Sequence, residues 1–160
     1  MLDRFRKLLY TPRAGARITE SNPWQLAPTA SPPDFLRALT LLELPSATLA
    51  LEGTLDGKVV DWLRLNASSD GLRISPGTLW PASDWWYLPL EAQKLEALVS
   101  VSGRAPPAVH LFVYEGERVL LEWYDAFTDP LWLSRELAGP HLERFVARVG
   151  GQLEPVSQSG

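Results

Sequence analysis

The chain predicts an α+β domain, an antiparallel β-sheet with helices packed on it in the order α-β-β-β-α-β-β-α, preceded by a short N-terminal helix and an extended connector. Three observations predict it. Apolar residues recur at helical spacing around residues 35–42, 90–99 and 142–149. Two pairs of apolar runs flank short turn sequences, Asp56-Gly57 and Glu115-Gly116-Glu117. Finally, 160 residues, 46% hydrophobic and 21% charged, are enough to bury a single substantial core.

From the start of the chain, Asp3 to Tyr10 can form two helical turns with Leu2, Phe5, Leu8 and Leu9 on one side. Thr11 to Pro33 is rich in Pro, Ala, Ser and Thr and reads as a connector. Ser31 can cap a helix, Pro32 suits its first position and Asp34 its positive end, so a helix runs to about Leu42 with Phe35, Leu36, Leu39 and Leu42 inward. Pro45 stops it. Asp56-Gly57 predicts a two-residue hairpin, because such turns need positive backbone angles. Its register would set Leu51 opposite Trp62 and Glu52 opposite Asp61, an unfavourable like-charge pair that needs a bulge or exposure.

Leu72 to Ser75 reads as a third short strand. Leu79 to Pro89, with Trp80, Trp85, Trp86 and Tyr87 broken by Pro81 and Asp84, reads as an irregular loop. A helix follows from about Leu90 to Val99, with Leu95, Leu98 and Val99 at helical spacing. Val109 to Tyr114 and Arg118 to Tyr124 form the second hairpin, apolar on both faces as central strands are. The last helix begins near Pro140 with Leu142, Phe145, Val146 and Val149 inward, and Gly150-Gly151 closes it. The organisation expected is a basic segment and Pro-rich connector over residues 1–30, one α+β domain over 31–151 and a flexible tail over 152–160.

The formal charge is -4, with net +4 over residues 1–17 and -8 over the rest. An acidic body argues against direct nucleic-acid binding, which needs Lys and Arg in excess. Without cysteine there is no disulfide framework, Cys-ligated metal or thiol nucleophile. Met1 to Tyr10 is too short and too charged for a signal peptide or membrane span, so a cytoplasmic protein with no membrane attachment is expected.

No Walker, Rossmann or nucleophile-elbow pattern is present, and no cofactor, metal or catalytic set is expected. His110 and His141 are the only histidines; His141 with Asp125 or Asp129 would make a His/Asp site, although a helix-start His and loop-capping Asp residues explain the same letters. Seven tryptophans are many for this length. Trp62 and Trp123 on strands read as core. Trp80, Trp85, Trp86, Tyr87 and Trp132 fall in irregular segments, where function is displayed, and are the expected partner-binding residues.

The element order, the Leu51 to Leu65 hairpin, Leu95-Glu96-Ala97-Leu98, the run Val109 to Leu121 and Leu142-Glu143-Arg144-Phe145-Val146 resemble the class I type III secretion chaperone fold and the related YbjN-like proteins, over about Pro33 to Gly151. The resemblance implies a small acidic homodimer without enzymatic activity that holds a segment of another protein, with a role in stress response. It also implies a dimer interface containing Leu95, Leu98 and Val99. The chain departs from the pattern in its basic start, its aromatic segment before the second helix and its long Asp125 to Leu137 connection. The expected function is therefore a chaperone-like adaptor that binds another protein, such as a nucleic-acid-binding one. The alternatives are an acidic immunity or inhibitor protein that masks a basic partner and, further down, a small hydrolase using His141 with Asp125 or Asp129.

Overall fold

The structure, a computed structural model, describes residues 17–19, 22–74 and 84–156. The helix expected over Asp3 to Tyr10 lies outside them. Its first described helix forms as the letters require: the Ser31 side chain accepts from the Asp34 N–H at 3.4 Å, prolines occupy the first positions, and Asp34 sits at the positive end. This α1 spans Pro32–Ala38 and tightens into a 3-10 turn, Leu39–Leu42, ended by Glu43 in the left-handed region.

The Asp56-Gly57 expectation is corrected. Asp56 is an N-cap, its carboxylate accepting from the N–H groups of Lys58 (2.8 Å) and Val59 (3.3 Å), and Gly57–Asn66 is helix α2. Asp before Gly serves a helix start as well as a hairpin, and Val59 with Leu63, both buried, satisfy helical spacing as readily as alternation. The Glu52–Asp61 clash therefore does not arise.

The remaining elements are β1 (Trp24–Leu26), β2 (Thr48–Glu52), β3 (Trp85–Pro89), α3 (Ala92–Ser102), β4 (His110–Glu115), β5 (Arg118–Trp123), β6 (Leu131–Leu133), α4 (Gly139–Val149) and β7 (Glu154–Pro155). They make the expected α+β class: one antiparallel sheet in the order β3-β2-β4-β5-β6-β1-β7, with α1, α2, α3 and α4 packed on one face. The hairpin at Glu115-Gly116-Glu117 and the last helix are as expected. Trp85 to Pro89 is a strand rather than loop, and the described part of the expected third strand, Leu72 to Ile74, is not among the seven strands of the sheet and packs on one of its faces. The connector and tail each contribute a strand, β1 and β7, which pair with one another.

The main core lies between the sheet and its helices. Phe35 of α1 is fully buried, its ring centroid 4.6 Å from that of Trp123 and 5.8 Å from that of Phe145. Leu95, Leu98 and Val99 of α3 point into this core at 1%, 0% and 6% exposure, so they are not a surface for a second copy; the helical stripe that suggested an interface is the face α3 turns to its own chain. Among the described residues no helix is long and apolar enough to cross a membrane.

Candidate functional site: the aromatic face of the sheet

Successive side chains of a strand point to opposite faces, so the register decides what the helix-free face carries. Tyr87 pairs with Ala50 and Ala50 with Phe112; Trp85 pairs with Glu52 and Glu52 with His110. These residues share one face. Trp85 stacks on Phe112 (centroids 5.5 Å, 19°), Tyr87 meets Tyr114 edge-on at 6.3 Å, and Tyr124 stands edge-on to both Phe112 (5.2 Å) and His110 (5.6 Å). Arg73 lies over the Trp85 ring at 5.4 Å, and Ile18 and Ile74 complete the apolar layer.

Two carboxylates and an imidazole are built into this layer: Glu52, Glu122 and His110 are each no more than 3% exposed. Glu122 accepts from the Ile18 N–H at 2.9 Å, which ties the segment leading into β1 onto the face. The Asp125 N–H donates to His110 Nδ1 at 2.9 Å, so the neutral ring carries its proton on Nε2. Burial pushes the His110 pKa down, opposed by the negative charges of Glu52 and Asp125. The Tyr87 hydroxyl donates to the Leu72 carbonyl at 3.1 Å, and burial pushes its pKa up to about 12.

Of the expected partner-binding residues, Trp85 and Tyr87 are buried within this layer and are packing residues. Trp86, on the opposite face of β3, packs half-buried against the main core. Trp80 lies outside the described residues. Trp132 is the one that reaches solvent: it pairs with Glu122 and Gln25, shares the aromatic face, and is 41% exposed. It stands four strands from β3, about 19 Å at the usual strand spacing.

Both sheet edges are obstructed. Ser68 exchanges two backbone hydrogen bonds with Tyr87 on the outer side of β3 (3.0 and 2.8 Å), Pro89 offers no N–H, and β7 is two residues long and ends in Pro155.

The His/Asp site is not assembled. His141 is exposed at the start of α4, 3.4 Å from Glu43 and 2.8 Å from Arg144, whereas Asp125 is joined to His110. The Asp129 backbone carbonyl accepts from the Trp123 indole. Among the described residues no group of three or more His, Asp or Glu side chains converges on a metal position. Sequence reasoning missed Glu52 and Glu122 as site residues. The available signal was a lone charge inside an apolar run, Leu49-Ala50-Leu51-Glu52 and Leu120-Leu121-Glu122-Trp123. No family model, curated protein or solved structure matches this chain.

Proposed function

We propose that the chain is a non-enzymatic, chaperone-like adaptor that binds another protein at the solvent-exposed Trp132 end of the aromatic face. The observation that carries this reading is Trp132, a large apolar side chain held in solvent by a strand whose neighbours on either side, Leu131 and Leu133, are fully buried. Tryptophan so displayed is the residue type most enriched at interface hot spots, and a strand fixes it at little entropic cost. With both edges obstructed by Ser68 and by prolines, a partner would bind by seating side chains against Trp132 and not by adding a strand. A homodimer goes with this reading, formed through a surface other than Leu95, Leu98 and Val99, and a cytoplasmic role in stress response remains its setting.

The test is affinity capture from native host lysate with immobilised wild-type protein and a Trp132→Ala variant, beside light scattering of the purified chain. A recurrent partner held by wild type and lost by an equally stable Trp132→Ala protein is the expected result. The same proteins recovered on both, or none on either, would overturn the reading; a monomeric mass at all concentrations would remove the homodimer from it.

A further inference from the structure

On the opposite face of the sheet, where β1 meets the start of α4, Arg135 is held in an unusual way. Its guanidinium carbon lies 3.5 Å from the centroid of the Trp24 ring, and its Nε–H donates to the Asn22 carbonyl at 2.7 Å. These contacts occupy one face and one edge of the planar cation. The two terminal nitrogens have no acceptor among the described residues.

Arg37, Arg64, Arg118, Arg144 and Arg148 are each ion-paired to a carboxylate of the chain. Arg135 is not, although Glu143 borders the same groove. That groove is about 560 Å³, within the size range of small-molecule sites, and Trp24, Leu137, Leu142 and Leu153 wall it. A pre-oriented guanidinium with its two-pronged end open is the geometry that carboxylates take bidentately.

We propose that this groove binds a small apolar carboxylic acid, the carboxylate held by the terminal nitrogens of Arg135 and the hydrocarbon body laid against Trp24, Leu142 and Leu153. The cation supplies the charge complementarity, and stacking on Trp24 keeps the guanidinium in place before the ligand arrives. Glu143 opposes an anion and so sets an upper bound on affinity. The proposal does not rest on the adaptor reading, because Trp24 and Trp132 lie on opposite faces of the sheet.

Octanoate is the probe and 1-octanol its uncharged control, followed by calorimetry and by NMR of the Trp24 indole in the full chain. Octanoate should bind saturably, shift the Trp24 indole signal, and bind about tenfold or more tightly than 1-octanol. Arg135→Gln should abolish that preference. Glu143→Gln, at an exposed position unconnected with the core, should tighten octanoate severalfold, so the proposal stays testable if Arg135→Gln folds poorly. No octanoate binding, equal binding of the alcohol, an unmoved Trp24 signal, or unchanged affinity in Glu143→Gln would each overturn it.

Discussion

The Asp125 N–H and His110 Nδ1 are 2.9 Å apart, and the bond between them can exist only while Nδ1 is unprotonated. Burial lowers the His110 pKa below its ordinary 6.5, against the pull of Glu52 and Asp125. The unfolded chain therefore binds more protons than the fold below about pH 6.5, and stability falls as pH falls from there toward the folded value. The slope for one group is at most about 1.4 kcal/mol per pH unit. Thermal melts between neutral and mildly acidic pH should show this loss in wild type and a flatter profile in His110→Gln. Equal profiles in the two proteins would refute it.

Tyr87 acts at the other end of the pH scale. Its pKa is raised from 10.0 to about 12, chiefly by burial, so the unfolded chain ionises first as the solution turns alkaline. Stability should be whole below about pH 10 and be lost as pH rises from there toward 12. In a spectroscopic titration of tyrosinate, Tyr87→Phe should remove a late-ionising component and leave the earlier ones in place.

Asp56 and Gly57 give the sharpest contrast between two readings of the same letters. As an N-cap, Asp56 replaced by Ala should lose about 1 kcal/mol in urea unfolding. Gly57 has no positive φ, and a Cβ there meets nothing within 4 Å, so Gly57→Ala should stabilise the protein by roughly 0.4–1 kcal/mol. A hairpin turn at the same place would make Gly57→Ala destabilising.

This contrast also explains what could be read in advance. Elements whose signals were local and unambiguous, the Ser31-Pro32 helix start, the Glu115-Gly116-Glu117 hairpin and the Leu142/Phe145/Val149 stripe, emerged where expected. The partners of β2 were not legible, because it pairs with β3 and β4, both distant in sequence, and no local pattern encodes a long-range register. The same absence hid the site. Trp85 and Tyr87 alternate with Trp86 and Leu88 as a strand requires, but with both faces apolar the alternation leaves no contrast. That Glu52 stands beside His110, and Asp125 rather than His141 completes the contact, follows from strand order alone.

Leu98 decides whether the stripe on α3 is core or interface. Fully buried among residues of its own chain, it should lose about 2–5 kcal/mol of stability on replacement by Ala, because a cavity remains that the surrounding helices and sheet cannot close. A residue that is buried only between two copies would behave otherwise. Its loss would grow less severe or more severe with protein concentration, since association and folding are then linked. Urea unfolding of Leu98→Ala and wild type across a wide range of concentrations separates the two. The outward side of α3 supports the core reading, since Glu96 there is already paired with Arg37 of α1 at 2.8 Å, an intrachain contact that fixes the helix against its own neighbour. A concentration-independent loss is therefore expected, and a concentration-dependent one would refute the assignment of Leu98 to the core of its own chain.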